Sequence, residues 1–203
     1  MICAVVLAAG GSSRMGRPKQ LLPYGRATLL AAALEPFLHA PAIARVHVVL
    51  GARASEVATA VPLDERIAVH RNPRWELGMA SSIRCGARAV EEDAAALLLG
   101  LGDQPRVTAA VVGRLVAAWR AARPRPLIVV PTHGGRRGHP VLFDGRLRGA
   151  LTALRGDRGA RAVLERHAAE LLEVPVRCAG ILQDVDTPDE YAALQPHRAR
   201  SAR

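Results

Sequence analysis

Strand-length apolar runs alternate along this chain with segments of helical spacing, and that alternation leaves few folds open. Residues 2–7, 95–101 and 127–130 are almost wholly apolar, as suits strands covered on both faces. Between them, residues 28–38 place Leu29, Leu30, Ala33 and Phe37 at helical spacing behind Thr28, a residue suited to cap a helix. Residues 108–122 carry Val111, Val112, Leu115, Val116 and Trp119 on one face, so Trp119 is expected in the core. Further strands are expected at 45–50, 67–70, 140–143 and 170–176. Further helices are expected at 56–61, at 81–90 (entered from Gly78), at 145–154, at 159–168 and at 187–194, the last with Thr187 and Pro188 at its start. Residues 134–138 read as a flexible loop. The expected class is α/β, a mostly parallel sheet with helices on both faces.

Composition narrows the function. The 203 residues suit one domain, expected over 1–195, followed by a loose basic tail at 196–203. No apolar run reaches the roughly 20 residues a spanning helix needs, so a soluble chain with no membrane partner is expected. The apolar start has no basic segment before it and runs into a glycine-rich turn, so it reads as a strand and not as a secretory leader. Cys3, Cys85 and Cys178 have neither disulfide nor zinc-finger spacing, and reduced thiols in the cytoplasm are expected. The net charge is +10, but only six aromatic residues are present and none forms a base-stacking pattern, so no specific nucleic-acid partner is expected. Trp75, judged by residue type alone, is expected in the core.

Of the 28 basic residues, Lys19 is the single lysine. A chain that otherwise uses arginine keeps a compact point charge at this one place, beside a glycine-rich loop. Leu7, Ala8, Ala9, Gly10, Gly11, Ser12, Ser13 and Arg14 leave the first strand and lead to Met15, Gly16, Arg17, Pro18 and Lys19. Such a turn exposes backbone N–H groups that can cradle phosphates. It is neither the G-x-G-x-x-G dinucleotide fingerprint nor a Walker A loop, because Gly16 is followed by Arg17 and Pro18.

Three other stretches carry chemistry. Asp103, in Gly102-Asp103-Gln104-Pro105, follows a buried strand, where ligands of open α/β sheets sit. Taken alone it would read as a turn cap. Asp184 and Asp186 lie two apart before a helix start, and in extended backbone they point the same way. His133 and His139 lack a third ligand at metal spacing, so zinc is not expected at them.

The loop resembles the L-A-A-G-x-S-x-R-M-G-x-P-K signature of nucleotidyltransferases, particularly the MobA-like molybdenum-cofactor nucleotidyltransferases. Gly102-Asp103-Gln104-Pro105 is similar to the family's G-D-x-P, and residues 184–189 to its D-x-D-T-P-x-D. Residues 72–82 resemble N-P-x-W-x-x-G-M-x-x-S, and Gly138-His139-Pro140 with the stretch 156–161 is similar to segments of the cofactor cytidylyltransferases. The resemblance runs over roughly residues 2–194 and is weakest in the second half.

It implies a Rossmann-like nucleotidyltransferase architecture, with a nucleotide-binding first half and an acceptor-binding second half. Asp103 and Asp186 are implied as ligands of Mg²⁺, and Arg14, Lys19 and Asp103 as catalytic. Leu7, Ala8, Ala9, Gly10, Gly11, Ser12, Ser13, Gly78, Met79, Ser81 and Ser82 are implied at the nucleotide. Gly138, His139, Pro140, Asp157 and Arg161 are implied at the acceptor. The methyl of Ala9, where the guanylyl branch tends to glycine, favours the smaller pyrimidine, so CTP is the expected nucleotide. The expected acceptor is molybdopterin, with a molybdenum hydroxylase as recipient of the product. Alternatives are guanylyl transfer, a sugar- or polyol-phosphate cytidylyltransferase, and a non-catalytic carrier of the finished cofactor.

Overall fold

The structure, a computed structural model, describes residues 1–194; the tail expected at 196–203 lies outside the described residues. In chain order the elements are β1 (Ile2–Ala8), β2 (Pro23–Tyr24), β3 (Ala27–Thr28), α1 (Leu29–Leu38), β4 (Arg45–Leu50), α2 (Ala54–Val57), β5 (Ile67–Arg71), α3 (Met79–Ala89) and β6 (Ala96–Leu101). They continue with α4 (Ala109–Ala121), β7 (Ile128–His133), β8 (Arg136–Arg137), β9 (Val141–Asp144), α5 (Arg148–Thr152), α6 (Arg161–Arg166), β10 (Leu171–Pro175) and α7 (Pro188–Leu194).

The central sheet has the order β10-β7-β9-β6-β1-β4-β5, with β8 on β7, while β2 and β3 form a separate hairpin. The β1, β4, β5 and β6 pairings are parallel, as is β10 with β7, whereas β9 runs antiparallel to both its neighbours. The class is therefore α/β with a mostly parallel sheet. Alternate residues of β1 feed two cores. Ile2, Ala4, Val6 and Ala8 pack with Leu30, Leu34 and Phe37 of α1 and with Val112 and Leu115 of α4. Cys3 and Val5 pack on the other face with Ala80 and Ile83 of α3 and with Leu151 and Val163 from α5 and α6. A buried strand with period-2 side chains needs apolar residues at every position, hence the continuous runs.

The segment expected to be a loop at 134–138 contains β8, which folds back on the end of β7 through Thr132↔Arg137 and His133↔Arg136. Gly134 and Gly135, at φ 57° and 75°, supply the left-handed turn that a two-residue hairpin needs. The helix expected at 56–61 begins earlier, at Ala54, and tightens into a 3-10 turn over Ala58–Ala60.

Reversal of β9 places its first residue, Val141, opposite Leu99 near the end of β6. The residues just before β9 are thereby brought to the same rim as Gly102 and Asp103. Its last residue, Asp144, closes the other end: its carboxylate accepts from Arg146 N (3.1 Å), Arg146 Nε (2.7 Å) and the buried indole Nε1 of Trp119 (3.2 Å). Burial acts against this carboxylate, but the bonds from Arg146 and Trp119 hold it below its ordinary range.

A depressed carboxyl contributes stability above its unfolded value of about 3.9 and loses it as pH falls through the folded value. Asp144→Ala is therefore expected to cost about 2–3 kcal/mol in urea unfolding near neutral pH, because it orphans the indole N–H and removes a cap. The difference from wild type should shrink as the pH is lowered below about 4. A pH-independent loss would mean that the charge contributes nothing.

Candidate functional site

The rim at the carboxyl ends of β1 and β6 is built around the loop that leaves β1. Ser12 stands at φ 53°, in the left-handed region, and starts a 3-10 turn over Ser13–Met15. A second turn, Lys19–Leu21, returns the chain to the sheet. The device that closes the loop is Gln20, only 2% exposed. Its Nε2 donates to Ala8 O and Gly10 O, both at 3.1 Å, and its Oε1 accepts from Ser12 Oγ at 3.4 Å. The Ser12 hydroxyl in turn accepts from Lys19 N at 3.1 Å. A buried carboxamide thus satisfies carbonyls that the turn would otherwise leave without partners. Gln20 was not singled out from the sequence; its position next to the lone lysine was the available signal.

Beneath this loop lies a cavity of about 410 Å³. Leu7, Ala8, Ala9 and Gly10 form one wall, and Gly78, Met79 and Ser82 at the start of α3 form another. Lys19, Gln20, Asp103, Asp184 and Asp186 also line it. Trp75 lines it too and is only half-buried, so the expectation of a core position fails. The indole edge lies over Gly11, where a Cβ would meet it at 3.1 Å. A short 3-10 turn, Trp75–Leu77, carries this ring at the rim and not beneath the sheet.

Lys19 Nζ donates to Asp103 Oδ2 at 2.6 Å and to Asp186 Oδ1 at 2.8 Å, while Arg14 Nη2 reaches Asp186 Oδ2 at 2.7 Å. Two backbone features fix the acidic pair. Val185 N donates to Asp103 O, tying this segment to the exit of β6. Glu190 Oε2 accepts from the amides of Asp186 and Thr187 at 2.8 Å, and Thr187 Oγ1 accepts from Glu190 N, a capping box at the head of α7.

Burial works against the charge on Lys19, yet the two carboxylates hold its ammonium above the ordinary lysine range. Burial also works against Asp186, and Lys19 and Arg14 outweigh it, so this carboxyl sits low. Asp103 goes the other way: burial, with Asp184 and Asp186 nearby, pushes it up despite Lys19. Its Oδ1 is buried and has no hydrogen-bond partner. A carboxylate short of positive charge, with an unused oxygen and two further aspartates lining the same cavity, suits a hard divalent cation with oxygen ligands. The residues present fit such an ion.

The remaining expected residues divide by position. Gly11, Ser12 and Ser13 brace or flank the loop outside the cavity wall, and Arg14 reaches the site only through Asp186. Ser81 and Ser82 both accept from Asn72 Nδ2, at 2.8 and 3.0 Å, but only Ser82 lines the cavity. Ser81 Oγ also lies 2.8 Å from both Arg74 O and Gly78 O.

Gly138, His139 and Arg161 line a second cavity of about 760 Å³, with Arg137 and Arg158. Met79 borders both cavities. Burial holds His139 below the ordinary histidine range, and so neutral, beside Leu99 O. Pro140 is buried without lining either cavity. Asp157 is exposed and backs Gly78, where a Cβ would lie 3.1 Å from Asp157 Cα. No described helix is long and apolar enough to cross a membrane.

Known proteins are similar to this chain over nearly its whole length. Nicotine blue oxidoreductase of Paenarthrobacter nicotinovorans is 36% identical, the match covering 95% of this chain and 96% of that protein. Molybdenum cofactor cytidylyltransferase of Escherichia coli K12 is 27% identical over 94% of this chain and 93% of that protein. The crystal structure of Rv0371c from Mycobacterium tuberculosis H37Rv, a manganese complex, superposes with a TM-score of 0.77 at 35% identity and covers 95% of this chain and 96% of that one. Residues 4–171 match the MobA-like NTP transferase domain, from β1 through the second cavity to the first residue of β10, and the chain belongs to this family of nucleotidyltransferases.

Proposed function

We propose that the chain transfers CMP from CTP to the terminal phosphate of molybdopterin and releases pyrophosphate, with Mg²⁺ as the metal. The observation that carries this reading is the cluster of Lys19, Asp103 and Asp186 at the mouth of the cavity under the β1 loop, with Asp103 Oδ1 unpartnered. The relative named molybdenum cofactor cytidylyltransferase supports the choice of nucleotide and acceptor. Ala9, which lines the cavity where the guanylyl branch tends to glycine, supports the choice of the smaller pyrimidine. The first half of the single domain holds the nucleotide and the second half the acceptor, in the cavity lined by His139 and Arg161. The product would pass to a molybdenum hydroxylase in the cytoplasm.

In the transfer, an oxygen of the acceptor phosphate attacks the α-phosphorus of the nucleotide. The new P–O bond forms as the bond to pyrophosphate breaks, and pyrophosphate leaves with the electron pair. The acceptor monoester, with a second pKa of about 6, is already mostly ionised at neutral pH and needs no protein base. Positioning and charge neutralisation then dominate the rate.

Lys19 is held at the cavity mouth by two carboxylates and can exchange them for phosphate oxygens. Arg14, exposed and tethered only through Asp186, can swing to the same oxygens. Amides of the loop that Gln20 holds shut add fixed dipoles. Asp103 and Asp186 would hold the divalent cation, with Asp184 beside them, and that ion supplies charge neutralisation of the triphosphate.

The test is thermal stabilisation of the protein by CTP, GTP, ATP and UTP with Mg²⁺. A ligand that binds only the folded state at about 100 times its Kd adds about 2.7 kcal/mol. CTP is expected to give the largest, Mg²⁺-dependent shift. A GTP-selective shift would reverse the base assignment, and no shift would favour a carrier. A redox reading takes its support from the relative named nicotine blue oxidoreductase. It predicts a shift with a nicotinamide or flavin cofactor in place of a nucleoside triphosphate.

A further inference from the structure

At the opposite end of β1 from the nucleotide cavity, three ligand-type side chains converge on one face of the sheet. Cys3 is the second residue of β1, and His47 lies on β4, two positions beyond Cys3's register partner Arg45. The pleat therefore turns both toward the α3 side. Glu91, just after α3, comes down onto them.

Cys3 is fully buried and His47 is 2% exposed. Cys3 Sγ lies 3.3 Å from Glu91 Oε2, and His47 Nε2 lies 3.4 Å from the same oxygen. The three ligand atoms all fall within 4.8 Å of one another. His47 Nε2 is buried and has no hydrogen-bond partner, although it is aimed into this group. The other ring nitrogen, His47 Nδ1, is 3.0 Å from His70 Nε2. Arg45 Nε lies 3.4 Å from the outer oxygen, Glu91 Oε1, and leaves Oε2 turned inward.

We propose that Cys3, His47 and Glu91 form a second metal site, separate from the nucleotide cavity and selective for a zinc-class divalent cation. A tetrahedral zinc ion with a sulfur ligand at about 2.3 Å and nitrogen or oxygen ligands at about 2.0–2.1 Å requires ligand atoms about 3.3–3.6 Å apart. The His47–Glu91 distance of 3.4 Å meets the nitrogen-to-oxygen end of that range, and the Cys3–Glu91 distance of 3.3 Å lies within about 0.3 Å of the sulfur-to-oxygen end. Thiolate and imidazole favour zinc over magnesium, which takes an all-oxygen octahedron.

His70 supplies the outer partner that metal-bound histidines need. With His47 Nδ1 donating to His70 Nε2, the Nε2 lone pair of His47 is left facing the carboxylate, an arrangement that a cation resolves. Without one, the Cys3 thiol donates to Glu91, and burial beside that carboxylate pushes it up to about 12. A bound cation takes the place of the donated proton. Glu91 is 30% exposed, which gives water access to the fourth position. The site would clamp β1, β4 and the end of α3 together, about 16 Å along β1 from Ala8. It is independent of the proposed CTP chemistry.

The experiment titrates the metal-free full chain with Co²⁺ in excess Mg²⁺, which masks the aspartates of the nucleotide cavity, and follows the near-ultraviolet thiolate-to-cobalt band. One equivalent is expected to give the band, and one equivalent of Zn²⁺ to abolish it. Asp103→Ala should leave the band intact and Cys3→Ser should remove it. His70→Ala should weaken binding about 10-fold to 100-fold. Zinc-edge absorption of the wild-type protein, which needs no variant to fold, should show one sulfur and one imidazole in the zinc coordination shell. Absence of the band, its persistence in Cys3→Ser, its loss in Asp103→Ala, or a zinc shell without sulfur would each overturn the proposal.

Discussion

Asp103→Ala is expected to reduce nucleotidyl transfer by about 10³-fold or more, equivalent to about 4 kcal/mol of transition-state stabilisation. The carboxylate is half-buried, its Oδ2 holds Lys19 at 2.6 Å and its buried Oδ1 has no hydrogen-bond partner in the protein. Its removal deprives the cavity of the ligand placed to anchor a cation and frees Lys19 to pair with Asp186 alone. The same change should leave the ligand-free protein as stable as wild type or slightly more stable, because a carboxyl that burial pushes up is a liability to the fold. Pyrophosphate release and urea unfolding, measured side by side, check both halves. Near-normal turnover would refute the metal role, and lost stability would point to a structural one.

Lys19→Ala is expected to cost about 10²-fold to 10³-fold in kcat, and here stability should fall as well. The ammonium separates Asp103 from Asp186, and without it two carboxylates face each other with only the exposed Arg14 to compensate. Lys19→Arg should rescue little, since a planar fork cannot occupy the point between two carboxylates that a compact ammonium fills. Arg136→Ala, on the exposed β8, serves as the comparison and should change turnover little. Equal effects of the two alanine variants would remove any special place for the lysine.

The alternation of elements was legible in the sequence because each strand and helix advertises its own period. Thr28 caps α1 through Ala31 N, and the strand at Arg45–Leu50 has the bounds its sequence suggested. What did not show was direction. Val141 to Asp144 is as apolar as its neighbours, and only tertiary pairing makes β9 run against β6 and β7. Within the site, the residues bearing charge in short motifs were visible, and the structure gathers Lys19, Asp103 and Asp186 as their motifs implied. Residues that act by packing or bracing were not. Beyond its place next to Lys19, nothing local distinguishes Gln20 from a surface glutamine, and Trp75, unlike Trp119, has no helical periodicity around it to say which way the indole faces. Ser81 and Ser82 differ only by a step around the helix, which a motif written in one dimension cannot resolve.

The position of Met79 has a consequence of its own. The side chain borders both cavities, and Gly159, at φ 59°, lies against its thioether so closely that a Cβ there would sit 2.9 Å from the sulfur. An unbranched thioether yields more readily than backbone, and Met79, which is exposed, is the side chain through which a ligand in one cavity can press on the other. Where a ligand does move Met79, the effect on the other cavity acts with equal strength in both directions, and Gly159, which lines neither cavity, limits that movement.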